Sequence, residues 1–323
     1  MPVYNAAPFL AECLETILMQ TYGNWELLAV DDFSTDDSLG VIKAYAANDR
    51  RIKPIKNKEK GIIPALTVAF NKSSGQLITR MDADDRMTAN KLQILESAFK
   101  PGKTIVTGKV KYFSSKPISQ GYLDYENWLN ERVDYGDHWA QVYRECVIAS
   151  PNWLVDRSCF EDDICLDTLA YPEDYDMTLR WYDKGYKVIT SPEITHEWRE
   201  HPDRTSSNDN AYQQASFFEL KTKCFIEYEL KRDEPVQLLG AGKKGKLVAK
   251  ILTKNEVPFQ WFDVNAVDYV NGLMGKKILP LSSVMKGKKS ILTAWPKEVN
   301  LRRNIRTFLK ENDLELGVKC WLF

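Results

Sequence analysis

The sequence predicts an α/β protein, with a mostly parallel sheet flanked by helices in residues 1–230 and a smaller α/β domain in residues 231–323. Three observations carry this. Strand-like and helix-like apolar periods alternate through residues 9–100. Two apolar runs end in acid, "AVDD" at 29–32 and "RMDADD" at 80–85, and the carboxyl ends of parallel strands are where ligands sit. After "KRDEP" (231–235) the pattern restarts as strand, glycine turn and helix in "PVQLLGAGKKGKLVAKILTKN".

In order, residues 9–20 place apolar side chains at helical spacing, and 25–32 (WELLAVDD) form a strand ending in acid. A helix is expected over 38–49, a short strand over 51–57 and a helix over 62–73. Residues 75–85 (GQLITRMDADD) are a strand running into an acidic loop, and 90–100 a helix. Residues 101–170 read as irregular strands and aromatic-rich loops containing Trp128, Trp139 and Trp153. Residues 171–185 begin an acid-rich helix closed by Gly185, 193–209 are a polar loop, and 211–230 a long helix. In the second domain 259–265, 277–285 and 290–295 are strand candidates, and 297–312 a final helix. "MPVYN" opens where an α/β domain has normally spent its first strand. A missing or truncated first strand is therefore expected, with further apolar residues ahead of Met1.

Hydrophobic residues make up 44% and charged residues 28%, a balance that excludes a disordered or fibrous chain. The six cysteines are scattered without a CxxC pair, which argues against a zinc site or disulfide framework and for a reducing compartment. No apolar stretch approaches the roughly 18 residues of a membrane span, and no secretory leader pattern is evident. A cytoplasmic location is expected, with any membrane contact peripheral and at the inner face. Residues 231–323 carry 18 Lys and Arg against 9 Asp and Glu, whereas residues 1–230 carry 26 against 36. That asymmetry supports two domains with different surfaces. A basic surface suits phosphates or anionic lipid, or is simply a solvated lysine-rich face.

Asp82, Asp84 and Asp85 fall within four positions. Carboxylates a few ångströms apart repel by roughly 1 kcal/mol in water and by several in a partly desolvated cleft. The strain is relieved either by a raised pKa with a held proton or by a divalent cation. A solvated acidic turn before a helix is the plain alternative.

"MPVYNAAPFLAECLETILMQTYGNWELLAVDDFSTDDS", followed by "GQLITRMDADDRM" and "PEDYDMTLR", resembles the nucleotide-sugar domain of family 2 glycosyltransferases of the GT-A fold. The likeness covers about residues 1–210, and the ordered combination of three motifs is what makes it specific. It departs at the amino terminus and lacks the QxxRW motif of processive members, which implies one sugar per event. The resemblance implies an inverting transferase that uses Mn²⁺ or Mg²⁺ and a nucleotide-diphosphate sugar, by preference UDP-linked. The acceptor is a hydroxyl of a cell-surface glycan or lipid-linked glycan. No nucleic-acid partner is expected, and homo-oligomers are compatible with it.

Residue by residue, the resemblance has Asp84 binding the metal directly and Asp82 contacting ribose or the metal's water shell. A hard cation takes one or two protein carboxylates and fills its other positions with phosphate oxygens and water. Asp32, with Asp31 close behind, would hydrogen-bond the base; an acceptor-only carboxylate selects a base offering an N–H, as uracil does. Pro2, Val3, Tyr4 and Asn5 would form the opposite wall of that pocket. Asp174 is the expected general base, taking the acceptor's proton as attack develops, with Glu173 orienting the acceptor. An acid-rich first helical turn is also favoured for its own sake. His201 is expected at the metal and Arg199 at the diphosphate, in preference to His196, with Arg80 serving the phosphates or pairing with nearby acids. Trp153 and Tyr171 are the aromatic candidates for stacking on the acceptor, beside Trp128 and Trp139.

In the second domain Gly240, Gly242 and Gly245 form GxGxxG between a strand and a helix, with Asp263 about 20 residues on, as a dinucleotide fingerprint requires. Only some 90 residues remain, too few for a full two-half cofactor domain. This part resembles small Rossmann-like modules appended to sugar-processing enzymes, which leaves nucleotide binding and assembly both open. Two rival functions follow: a sugar nucleotidyltransferase, which needs a basic glycine loop that "PVYNAAPF" lacks, and a non-catalytic subunit working through Gly240–Gly245.

Overall fold

A computed structural model of the chain describes residues 1–202, 204, 210–231 and 234–323. They form two compact units, Met1–His138 with Ile148–Asn208 and Trp139–Val147 with Asp209–Phe323.

In the first unit β1 (Pro2–Val3), β2 (Leu27–Asp31) and β3 (Ile52–Lys56) pair in parallel in that order, connected by α1 (Ala7–Leu18) and α2 (Ser38–Asn48). All five residues of β2 are buried, which is why it reads as an unbroken apolar run ending in acid. Leu10, Leu14 and Ile17 of α1 lie on its inner side and pack with Val3, Ala29 and Ile42. Each such side chain contributes about 1.5–3 kcal/mol on burial. α3 (Ile62–Lys72) leads into a mixed sheet of order β4-β7-β6-β8-β5. Its strands are β4 (Leu77–Thr79), β5 (Arg86–Met87), β6 (Thr104–Phe113), β7 (Trp153–Asp156) and β8 (Lys187–Arg199). Three further helices cover it: α4 (Lys91–Ala98), α5 (Gln120–Tyr135) and α6 (Glu173–Asp183). Acidic residues therefore leave the sheets at two strand ends, after β2 and after β4.

Several expectations need correction here. The first strand, expected to be missing or truncated, is a strand of two residues, Pro2 and Val3, alongside Val30 and Asp31, and that expectation is left as it stood. The stretch read as irregular contains the 16-residue helix α5, whose buried Trp128, Leu129, Arg132 and Val133 follow helical spacing. Residues 193–199, read as loop, are the second half of β8. Its buried positions there hold polar Thr195 and His196, whose partners are internal, and this hid the strand from an apolar-pattern reading. Trp153, expected to stack on an acceptor, is 4% exposed, packs edge-on against Trp181 and faces the core. It also lines an apolar cavity of about 700 Å³ with Leu27, Leu28, Phe70 and Leu77. Trp128 is buried as well.

The second unit is a five-stranded parallel sheet of order β11-β10-β9-β12-β13. The strands are β9 (Val236–Leu239), β10 (Phe259–Asp263), β11 (Ile278–Pro280), β12 (Ser290–Leu292) and β13 (Cys320–Leu322). Its helices are α7 (Gln214–Glu229), α8 (Lys243–Lys254) and α9 (Val299–Glu311). α7 belongs to this unit and not, as the expected boundary at 230 had it, to the first. Phe225 of α7 meets Trp321 at 5.2 Å and Phe323 at 5.6 Å between ring centroids, and that aromatic cluster fixes the helix. Residues 203 and 205–209 of the expected polar loop, and 232–233 of "KRDEP", lie outside the described residues.

Candidate active site

β4 delivers Arg80 to Asp85 to one end of the mixed sheet. Arg80 is 5% exposed; its Nε donates to Asp82 Oδ1 at 2.8 Å and its Nη1 to Glu173 Oε1 at 2.9 Å. Burial works against the guanidinium charge, but Asp82, Glu173 and Asp174 outweigh it and push its value above the ordinary one. Arg80 thus pairs with acids instead of facing phosphates. Glu173, 2% exposed in the first turn of α6, is committed to Arg80 and not to an acceptor.

Asp174, beside it, is half-buried and accepts from the Tyr175 amide at 2.8 Å. Burial and the neighbouring Glu173 charge push its carboxyl up to about 7, against the opposing pull of Arg80. A carboxylate in that range is matched to proton transfer near neutrality.

In the acidic loop the side chains of Asp82 and Asp84 are 22% and 28% exposed. Asp84 Oδ2 lies 2.9 Å from His201 Nε2, and the Asp84 carbonyl accepts from Arg199 Nε at 2.6 Å. Burial pushes the Asp84 carboxyl up, but the His201 hydrogen bond and the Arg204 guanidinium bring it below its ordinary value. Arg199 also pairs with Glu12 of α1, so its guanidinium fastens the loop and is not a free cation for diphosphate. Asp85, 1% exposed, accepts from the Arg199 amide at 2.7 Å, and its Oδ2 lies 2.9 Å from His196 Nε2. Glu12 and Arg204 have no sequence signal that marks them as part of this cluster, whereas His196, set behind His201 in the sequence reading, lies on Asp85.

Among the described residues no three His, Cys, Asp or Glu side chains converge as a metal cage. Of the expected set of Asp82, Asp84 and His201, Asp84 lies against His201 while Asp82 is turned to Arg80. A carboxylate and an imidazole, both partly open, with His201 Nδ1 buried and unpartnered, fit a divalent cation that draws its remaining ligands from phosphate and water.

At the other strand end Asp32 is committed. Both its oxygens accept from the Gly61 amide, at 2.9 and 3.0 Å, and Oδ1 accepts from Asn57 Nδ2 at 2.7 Å. Asp31, equally buried at 7% exposure, keeps Oδ1 without a hydrogen-bond partner. The base contact expected first of Asp32 thus falls more naturally to Asp31. Tyr4 is 46% exposed with Lys60 Nζ 4.7 Å from its ring centroid, and Asn5 (φ 49°) accepts from the Thr35 amide at 2.7 Å. Pro2 and Val3 contribute β1 beside them. Tyr171 is 40% exposed, and its hydroxyl stands 3.4 Å from where a Cβ on Gly61 would lie, which puts it beside the Asp32 loop.

In the second unit two of the fingerprint glycines, Gly240 and Gly245, sit where backbone packs closely. Gly240 has φ +106°, and a Cβ on Gly245 would fall 2.0 Å from the Gly240 carbonyl oxygen. Asp263, the acid some 20 residues on, accepts from the Ala241 amide at 2.6 Å and the Asn265 amide at 2.8 Å. Gly242 stands clear of neighbours at the mouth of the turn.

Residues 1–162 match the family model described as Glycosyl transferase family 2. A beta-1,3-glucosyltransferase from Escherichia coli, WfgD, is 40% identical over 244 residues, covering 72% of this chain and 87% of that protein. Its name gives UDP-Glc as donor and alpha-D-GlcNAc-diphosphoundecaprenol as acceptor. An uncharacterized glycosyltransferase from Rickettsia bellii is 25% identical over 66% of this chain, which spans only 30% of that longer protein. Among solved structures, S. aureus TarS with UDP-GlcNAc superposes with a TM-score of 0.53 at 15% identity, over 79% of this chain and 70% of that one. The Pyrobaculum calidifontis mannosyltransferase PcManGT, with GDP-Man and Mn²⁺, gives 0.52 at 21% identity, over 78% and 67%. Both show the same fold.

Proposed function

Since the chain belongs to glycosyltransferase family 2, we propose that it transfers one sugar, with inversion, from a UDP-sugar to a hydroxyl of a lipid-diphosphate-linked glycan. The observation that carries this reading is the Arg80 bridge, which ties Asp82 of the acidic loop to Glu173 and so sets Asp174, held near pH 7, beside the donor side. Asp174 takes the acceptor's proton as its oxygen attacks the anomeric carbon. The bond from that carbon to the phosphate oxygen breaks on the opposite face, and UDP leaves. Asp31, with its open buried oxygen, accepts from the uracil N–H, and Tyr4 walls the base pocket. Arg80, paired with Glu173, pulls the Asp174 carboxyl down and so limits how far burial raises it.

Asp84 and His201 would hold Mn²⁺ or Mg²⁺, whose chemistry is to neutralise the diphosphate charge that grows on leaving. Tyr171, open and beside the Asp32 loop, is the remaining candidate for contact with a sugar. Among the described residues no helix is long and apolar enough to cross a membrane, so a lipid-linked acceptor would be met by peripheral contact. The test is turnover of UDP-glucose with a GlcNAc-diphosphate lipid by the wild type and Asp174→Asn. A loss of about 10²-fold or more with UDP affinity retained supports the assignment, and full turnover in the variant sinks it.

A further inference from the structure

Beneath the acidic loop runs a line of buried polar groups that the transfer reading does not use. Lys91, the first residue of α4, is 0% exposed; its Nζ donates to the Pro151 carbonyl at 2.6 Å and lies 3.1 Å from His196 Nδ1. His196, on β8 and also 0% exposed, presents Nε2 to Asp85 Oδ2 at 2.9 Å. Asp85 in turn accepts the Arg199 amide at 2.7 Å, at the end of β8, and two residues on His201 meets Asp84 at 2.9 Å. One line therefore runs from α4 through β8 to Asp85 and Asp84 of the loop.

The proton positions follow from the donors. Burial pulls the Lys91 ammonium down to about 7; in its protonated form it has three donors and no acceptor, and the His196 Nδ1 facing it then accepts. The ring proton then sits on Nε2 and points at Asp85. Burial and Lys91 both disfavour a second proton on the ring, so the imidazole stays neutral between Lys91 and Asp85. Stability alone does not call for such an arrangement, since apolar replacements of buried ion pairs are often no less stable. A device that holds one rotamer and one tautomer fits better.

We propose that Lys91 and His196 are positioning residues for glycosyl transfer. Lys91 locks the His196 tautomer, His196 fixes Asp85, and Asp85 sets the end of β8 that brings His201 to Asp84. The inference rests on the reading of the Asp82–Asp85 loop as the donor site. It follows the way outer partners orient the groups that touch a metal.

The test uses UDP as probe, titrated with and without Mn²⁺ against the full chain and His196→Gln, His196→Asn and Lys91→Met, each checked for a cooperative melt. A glutamine places its amide N–H where Nε2 stood, whereas the shorter asparagine places it where Nδ1 stood. We expect His196→Gln to stay within about threefold of the wild type, and the other two to lose roughly 10-fold or more in Mn²⁺-dependent affinity, with metal-free affinity little changed. Wild-type affinity in folded His196→Asn and Lys91→Met, or a glutamine as damaging as the asparagine, overturns the proposal. If Lys91→Met does not fold, the glutamine–asparagine pair decides. If the wild type itself shows no Mn²⁺-dependent UDP binding, the donor-site reading fails and the positioning role falls with it.

Discussion

Arg80 holds two carboxylates from separate parts of the chain at nearly equal distance, Asp82 at 2.8 Å and Glu173 at 2.9 Å. Through it the loop after β4 and the first turn of α6 form one electrostatic unit. Removing the cation leaves buried Glu173 uncompensated. Arg80→Met is expected to cost about 3–5 kcal/mol of unfolding free energy, read by denaturant titration. It also removes the cation that pulls Asp174 down and leaves only the Tyr175 amide to do so, so the alkaline-rising limb of turnover moves to higher pH.

The pH dependence has a definite sign. Turnover rises as Asp174 ionises and levels off above about pH 7. For stability the raised carboxyl works the other way. Its protonated form is favoured by folding, so its contribution is complete below the unfolded value near ~4 and is lost as pH rises through about 7. Asp174→Asn, which cannot ionise, is expected to lose less stability than the wild type as pH rises from about 4 to about 7, the window between those two values. Thermal melts across that range check it; parallel curves would contradict it.

Asp31 and Asp32 are expected to separate by role. Asp32→Ala removes the acceptor for the Gly61 amide and Asn57, and is expected to destabilise by about 1–3 kcal/mol. Asp31→Asn should leave stability nearly intact and weaken UDP binding about tenfold. Equal effects of the two changes on UDP would remove the distinction.

In the second unit, Gly245→Ala drives a methyl into the Gly240 carbonyl and is expected to cost roughly 1–3 kcal/mol. Asp263→Ala frees the Ala241 amide and should cost about 1–2 kcal/mol. Neither should change UDP affinity, and titration of both variants checks that.

How much was legible varies by residue. The strand ends at Asp31–Asp32 and Asp82–Asp85 stand out because acid directly after an apolar run marks where a buried strand reaches the crevice at the edge of its sheet. Asp174 stands out only through the motif around it. The Arg80–Glu173 pair joins residues far apart in the chain, and no local pattern signals such a contact. Lys91 is less visible still, since a lysine at a helix start normally reads as solvated. Trp153 misled because aromatic identity does not say which face of a strand it occupies. The GxGxxG turn was legible as a turn, but backbone closeness alone accounts for its glycines. α7 gave no clue to which unit it joins, because the deciding partners, Trp321 and Phe323, lie at the far end of the sequence.

The central claim is a donor site built on Asp84. The most direct measurement is the thermal midpoint of the wild type and Asp84→Asn with UDP, GDP or NAD, each with and without Mn²⁺. A ligand that binds only the folded state raises the midpoint with its occupancy. A donor site on Asp84 predicts a UDP shift that requires Mn²⁺ and is lost in Asp84→Asn. A shift with NAD alone and indifferent to metal would contradict it, and would move the working site to Gly240–Gly245.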